Sequence, residues 1–385
     1  MRSGGSTLIG MVAGEASGDF LGAHLIAALR ERLPGARFAG IGGPKMEAAG
    51  FESWFPMEKL AVRGYSEVLR HYLEIVGIRR RLKRRLLREN PALFVGIDAP
   101  DFNLGLERRL KSRGIATLHY VSPSIWAWRG RRIREIGRSV NQVLALFPFE
   151  VPIYRRAGIP VAYVGHPLAD AIPTEDTTRA AREKLRVPEG RKIIGLLPGS
   201  RQSELEYMAA VFLRTAQLIA ERLPQVHFLA PLASRETRAQ FESALYAAGA
   251  QNLPLTVMFG HAREAIAASD AVLVASGTAT LETALYRKPM VITYRMANAS
   301  WQLMSRMRYQ PFVGLPNIIA GEFIVPELLQ EDATPENLAQ ALLNILSDPA
   351  VRERLPERLA QIHRTLRQDT ATRAAEAVLP WLSQR

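Results

Sequence analysis

Thr7-Leu-Ile-Gly-Met-Val-Ala-Gly14 and Lys192-Ile-Ile-Gly-Leu-Leu-Pro-Gly199 are the two stretches on which the fold turns. Each is a short apolar run ending in glycine, and each leads into an amphipathic stretch, which in the first copy places Leu21, Leu25, Leu29 and Leu33 on one side. A run that is apolar at successive positions suits a parallel strand covered on both faces, and the glycine suits a tight turn into a helix. Both helical patterns run into Glu-Arg-Leu-Pro, at residues 31–34 and 221–224, and apolar runs resume at Ala36–Gly40 and Val226–Ala230. These elements lie 190 residues apart, too far for a short-period solenoid, so the pattern predicts an α/β protein of two doubly wound, Rossmann-like domains.

The rest of the chain is consistent with that plan. Its 385 residues exceed one ordinary core, and 48% hydrophobic with 23% charged residues is globular composition. The boundary is expected near residue 168, after Ala162-Tyr-Val-Gly-His-Pro167, giving an N-terminal domain 1–168 and a C-terminal domain 169–345. Residues 346–385 are helical in pattern and either finish the second domain, cross back to the first or reach a partner chain. The absence of cysteine excludes disulfides, thiolate metal sites and a cysteine nucleophile. Thr7–Ala13 is followed at once by Glu15 and Asp19 and reads as a first strand, not a signal peptide. No run approaches the roughly 18 apolar residues of a spanning helix, so membrane contact is expected to be peripheral. A net charge of +13 favours polyanionic partners: nucleic acid, phospholipid or nucleotide-linked substrates.

Two open α/β sheets facing each other would leave a cleft at the carboxyl ends of their strands, and the candidate residues fall at those ends. Gly199-Ser200-Arg201 follows a strand and precedes a helix, where backbone N–H groups and a guanidinium suit a diphosphate; the plain alternative is a βα turn with a surface arginine. Ser276-Gly277-Thr278-Ala279-Thr280-Leu281-Glu282 is a small-residue loop entering a helix, and Glu282 is placed either to accept hydrogen bonds from a ribose diol or to interact with the helix dipole. In the first half, Ile97-Asp98-Ala-Pro-Asp101-Phe-Asn103 ends a strand with two carboxylates. Asp98 is the first candidate for a general base, with turn or helix capping as its bland role. Gly14-Glu15-Ala-Ser17-Gly18-Asp19 could bring backbone close to a sugar or phosphate, or simply cap a helix, and it is not the Gly-x-Gly-x-x-Gly of a nicotinamide site. No Asp-x-Asp pair occurs and the histidines are scattered, so no metal and no other cofactor is expected. The Gly-x-Ser-x-Gly elbow of hydrolases and the P-loop are also absent.

A lipid surface is a further expectation. Tyr65, Val68, Leu69, Tyr72, Leu73 and Val76 form an apolar helical face that is either core or membrane contact, and seven of the ten residues from Arg79 to Arg88 are basic, which suits anionic headgroups. Ile125-Trp126-Ala-Trp128 before Arg129, Arg131, Arg132 and Arg134, and the mixture Trp301–Arg308, either hold acyl chains and phosphate or belong to ordinary core. Base stacking on RNA has no accompanying signature, so no nucleic acid partner is expected.

Eight pieces in register resemble the bacterial lipid A disaccharide synthases: Gly14–Asp19, Gly40-Ile-Gly-Gly-Pro44, Ile97–Asn103, Tyr120-Val-Ser-Pro-Ser-Ile-Trp-Ala-Trp128, Val164-Gly-His-Pro167, Leu197–Arg201, Ser276–Glu282 and Leu315-Pro-Asn317-Ile-Ile319. The resemblance implies a GT-B type fold with the nucleotide in the C-terminal domain. It also implies an inverting transfer from UDP-2,3-diacylglucosamine to 2,3-diacylglucosamine 1-phosphate (lipid X), giving a β-1,6-linked disaccharide phosphate and UDP. Carried over by residue, Asp98 is the base, Arg201 and Glu282 hold UDP, and Asn317 lies near the substrates. The implied location is the cytoplasmic face of the inner membrane, with an anionic surface as partner and the choice between monomer and homodimer left open. Two alternatives stand beside it: a UDP-N-acetylglucosamine 2-epimerase-like enzyme, similar in fold and nucleotide site, and a non-catalytic basic module binding membrane or RNA.

Overall fold

The computed structural model describes residues 7–60, 68–123, 125, 132–298, 301, 302, 305 and 311–382, with backbone alone for 68–72. Tyr65, Trp126, Trp128, Arg129 and Arg131, the side chains of Val68, Leu69 and Tyr72, and most of 303–310 lie outside the described residues. The chain divides into two compact units, one of Met1–Asp170 with Leu366–Arg385 and one of Ala171–Thr365.

The first unit holds a sheet of β1 (Leu8–Ala13), β2 (Arg37–Gly42), β3 (Phe51–Pro56), β4 (Leu93–Ile97), β5 (Ala116–Tyr120), β6 (Gln142–Ala145) and β7 (Val161–Tyr163). All pairs are parallel, in the order β3-β2-β1-β4-β5-β6-β7. Alternation along β1 sends Ile9, Met11 and Ala13 into one core and Val12 into another, as the two-residue period of a strand requires. On the first face lies α1 (Ala16–Arg32), with Leu21, Leu25 and Leu29 buried. The short α2 (Pro44–Ala48) follows β2. On the other face lie α3 (Val68–Glu89) and α4 (Pro100–Lys111), whose Ile78, Leu82, Leu86, Phe102, Leu106 and Leu110 close over Val12 and Phe94. Each such fully buried side chain stabilises by roughly 1.5–3 kcal/mol.

The second unit holds β8 (Lys192–Leu197), β9 (Val226–Leu232), β10 (Leu255–Phe259), β11 (Ala271–Ala275), β12 (Met290–Tyr294) and β13 (Glu327–Leu329), again all parallel, in the order β10-β9-β8-β11-β12-β13. Met208, Phe212 and Ile219 of the helix Gln202–Arg222 pack with Leu338 and Leu342 of the helix Pro335–Ser347 against Leu196, Phe228 and Leu273.

Residues 346–385 are not one structural piece. The helix Pro349–Leu366 belongs to the second unit up to Thr365, and the helix Thr370–Leu382 belongs to the first. Ala374, Ala375 and Val378 of this last helix complete the core over β1 and α1, and Trp381 Nε1 donates to Gln142 Oε1 at 2.5 Å. Its N-terminus is fastened by Asp170, whose carboxylate accepts the N–H groups of Gln368, Asp369 and Thr370 at 3.1, 3.1 and 2.8 Å. Such N-terminal carboxylates satisfy donors that have no partner within the helix.

Candidate active site

Strand order reverses in each sheet at one point, between β1 and β4 in the first and between β8 and β11 in the second. Helices leave neighbouring strands toward opposite faces there, and the strand ends open into a crevice that ligands use. The sequence-derived candidates gather at these two points, Gly14, Gly18 and Asp98 at one, Ser200, Arg201 and Gly277–Glu282 at the other.

Asp98 follows β4, and its N–H still extends the sheet by donating to the Tyr120 carbonyl at 2.8 Å. Asp98 and Ala99 then both take left-handed backbone, with φ of 52° and 42°, before Pro100 opens α4. Two consecutive non-glycine residues in that region cost of order 1–3 kcal/mol each, a strain that persists only where the surroundings impose it. The Asp98 side chain at this turn is half-buried, and among the described residues its carboxylate has no hydrogen-bond or ion-pair partner. Asp101, the second carboxylate of the motif, is instead exposed and paired with Arg132 at 2.5 Å.

The loop after β1 packs directly on this turn. A Cβ on Gly14 would come within 2.7 Å of the Ala99 Cβ, and one on Gly18 within 3.3 Å of the Ala13 Cβ. Both glycines are buried, so their role is close backbone packing that leaves Glu15 and Ser17 exposed beside Asp98. Asp19 takes the capping role: its buried carboxylate accepts from Gly43, Lys45 and Met46 N–H at 2.9, 3.0 and 2.9 Å and so fixes the start of α2.

In the second unit the loop after β8 is organised by Glu204, which the sequence reading passed over. Its Oε2 accepts the N–H groups of Ser200 and Arg201 at 2.8 and 3.2 Å, and a Cβ on Gly199 would stand 2.7 Å from the Glu204 Cβ. The N–H groups expected to meet a diphosphate are here occupied by an internal carboxylate. The signal was present as a first-turn acid three residues after the helix cap, the capping-box spacing. Arg201 is different, with a side chain 80% exposed and only a loose 3.9 Å approach to Glu204.

The helix Thr278–Leu285 begins after β11 at Gly277, with no side chain capping it. A Cβ at Gly277 would meet nothing within 4 Å, so there is room around the cap; Thr280 N–H is taken by the Gly277 carbonyl at 3.1 Å, and no side chain caps the positive helix end. Thr278 and Ala279 keep some exposure, whereas Thr280 and Leu281 are buried and offer only backbone to a ligand. Burial pushes the Glu282 carboxyl above the usual carboxylate range, and Arg263, with Nε 3.6 Å from Glu282 Oε1, opposes that shift. Arg263 carried no signal, being on a separate helix, Ala262–Ala268.

Asn317 sits on the short helix Leu315–Ala320. Its side chain is fully buried; Nδ2 donates to the Val325 carbonyl at 2.9 Å and to Glu327 Oε1 at 2.8 Å, while Oδ1 accepts Ile324 and Val325 N–H at 2.9 and 3.0 Å. With both ends of the amide used internally, Asn317 supports the loop leading into β13, so a part near the substrates would be played through that loop.

On α3, Leu73 is 72% exposed and Val76 half-buried, and the buried stripe is Ile78, Leu82 and Leu86, the last two inside the stretch read as basic. Arg80, Arg81, Arg84 and Arg88 point outward. Arg85 lies over the Trp54 ring at 4.0 Å and also donates to Glu52 at 3.1 Å, so not every cation of the block is free for a headgroup. Among the described residues no helix is long and apolar enough to cross a membrane, and no three acidic or histidine side chains gather as metal ligands.

A family model described as lipid-A-disaccharide synthetase matches residues 9–379. The lipid-A-disaccharide synthase of Dechloromonas aromatica is 58% identical over 381 residues, covering 99% of this chain and 100% of that one. That of Burkholderia pseudomallei is 51% identical over 378 residues, covering 98% and 97%. Among solved structures, the UDP-GlcNAc 2-epimerase of Neisseria meningitidis bound to UDP-GlcNAc superposes with a TM-score of 0.64 at 12% identity, covering 98% and 100%. At that identity the likeness extends to the fold alone.

Proposed function

The chain belongs to the lipid-A-disaccharide synthase family, and from that premise we propose how its residues divide the work. The reaction is a hexosyl transfer: UDP-2,3-diacylglucosamine and lipid X give the lipid A disaccharide 1-phosphate and UDP. Family membership replaces both alternatives, the epimerase and the module without catalysis.

Asp98 is the general base. As the acceptor 6-hydroxyl oxygen attacks C1 of the donor sugar opposite the leaving group, Asp98 takes the hydroxyl proton, the bond from C1 to the diphosphate oxygen breaks, and UDP departs with that electron pair. The anomeric centre inverts, which gives the β linkage. The observation carrying this assignment is the unpaired carboxylate held at the switch point by two left-handed residues. Arg201 and the uncapped first turn at Gly277–Ala279 stabilise the negative charge that grows on the diphosphate, donors fixed in advance of the reaction. Glu282, whose carboxyl is raised by burial with Arg263 opposing the shift, accepts from the ribose hydroxyls.

The protein works at the cytoplasmic face of the inner membrane, where its substrates' acyl chains reside. Support comes from the net charge of +13 and the outward arginines of α3. Mixing the purified protein with both lipid substrates in detergent, and following UDP together with the mass of the lipid product, tests the whole reading. Asp98→Ala is expected to lower turnover at least about 100-fold while UDP binding persists. Undiminished turnover in that variant removes Asp98 from the mechanism.

A further inference from the structure

A buried pair of ionisable side chains in the first unit has no part in the chemistry above. Glu107 in α4 and His119 in β5 are both fully buried, and Glu107 Oε1 and His119 Nδ1 share a hydrogen bond of 2.7 Å. The carboxyl reaches the ring across Gly96, the β4 residue paired in register with His119. A Cβ on Gly96 would lie 2.1 Å from Glu107 Oε1, so the missing side chain is what opens the passage. Burial pushes the Glu107 carboxyl above the usual range. A dry pair of this kind is costly to desolvate, and apolar residues of similar volume often serve stability as well or better. Its presence calls for another use.

That use lies four residues back on the same helix face. Asn103, also fully buried, donates from Nδ2 to the Asp98 carbonyl at 2.8 Å and approaches the carbonyls of Ile97 and Val12 at 3.5 Å. α4 is thus pinned to the sheet at two levels, by Asn103 at the strained turn and by Glu107 one turn deeper. Asn103 Oδ1, Glu107 Oε2 and His119 Nε2 have no hydrogen-bond partner among the described residues, so no other polar contact of these side chains would replace the lost bonds; apolar packing of Phe102, Leu106 and Leu110 would keep α4 on the sheet but leave its polar register unfixed.

We infer that Glu107 and His119 are positioning residues for the glycosyl transfer: by seating α4 they let Asn103 hold the left-handed turn that aims Asp98. The inference rests on Asp98 as the base. Bridging the two elements requires a hydrogen bond at the His119 ring, which a neutral amide at position 107 can also supply.

The test is steady-state kinetics with both lipid substrates in detergent, alongside UDP titration and thermal unfolding, for Glu107→Ala, Glu107→Gln, Asn103→Ala and the Glu107→Ala/Asn103→Ala double variant, with Asp98→Ala as reference. A base misplaced by about an ångström costs on the order of 10- to 100-fold. Glu107→Ala and Asn103→Ala should each lose that much in kcat, with donor KM and UDP affinity within about twofold. Glu107→Gln should recover to within about threefold, and the double variant should fall no further than the worse single, as members of one unit do. Unchanged kcat in folded Glu107→Ala, a Gln variant as impaired as the Ala variant, or losses that multiply in the double would each overturn the inference. If Glu107→Ala does not fold, His119→Phe takes its place in the cycle under the same criteria. An active Asp98→Ala overturns the base assignment and this inference with it, whereas an inactive Asp98→Ala beside an unimpaired Glu107→Ala overturns this inference alone.

Discussion

Because Glu204 occupies the N–H groups of Ser200 and Arg201, the charge that this loop can offer a diphosphate comes from the Arg201 guanidinium. That side chain is 80% exposed and touches the protein only loosely, so its removal should leave stability within about 0.5 kcal/mol. Arg201→Ala is therefore expected to weaken UDP binding about tenfold or more, by calorimetric titration, at an unchanged Tm. A shifted Tm with intact binding would make Arg201 a structural residue. Single residues also mark where reading a sequence stops. The place of Asp98 at a strand end was legible because an apolar run breaks at a carboxylate two residues before a proline, a local pattern. The supporting bonds of Asn317 were not legible, because they come from residues 324, 325 and 327, after the chain has turned back. Arg263 and Glu282 meet only through tertiary packing, and nothing in the spacing of either announces the other.

At the scale of elements, the strands were legible from their apolar runs, and the orientation of α3 was not. Its periodicity is real, yet the residues that reach the core, Ile78, Leu82 and Leu86, are embedded among arginines whose aliphatic stems and outward heads hide the stripe in a count of charges. The segment Gly165–Ala171 carries a prediction of its own. His166 Nδ1 accepts the Leu168 N–H at 3.2 Å, and its ring packs 5.3 Å from that of Phe147. Burial lowers the His166 pKa from its ordinary 6.5 to about 4, against a smaller opposing pull from Asp170. Protonation would abolish the acceptor at Nδ1. Since the folded pKa lies below the unfolded one, the contribution is complete above pH 6.5 and is lost as the pH falls through about 4. It amounts to about 3 kcal/mol at most, less whatever the accessible edge of the ring recovers from solvent. Thermal unfolding followed from pH 7 to pH 4 should show this loss, and His166→Asn, which keeps an acceptor without a titrating group, should flatten it. An equally steep decline in that variant would assign the acid sensitivity elsewhere.

For the whole molecule, 50 lysines and arginines against 37 acids mean that association with a lipid surface should be governed by charge. Vesicles containing anionic phospholipid are expected to sediment with the protein at low salt and to release it as ionic strength rises and the Debye length drops below about 8 Å; uncharged vesicles should bind far less. Binding indifferent to salt and lipid charge would contradict the surface role given to α3. The two-sheet plan was legible at this scale because each half repeats the same opening in sequence.

The closing helix of the first unit is supplied by the last residues of the chain, and this sets an order of events during synthesis. As the nascent polypeptide leaves the ribosome, β1 to β7 emerge first, but the groove over Ile9, Leu25 and Leu29 stays open until Ala374, Ala375 and Val378 arrive. The later-made half can close over its own sheet sooner than the earlier-made half can finish. For the duration of nearly 200 further peptide bonds the earlier half displays an oily groove to solvent, and incomplete domains of this kind are the ones that aggregate during synthesis.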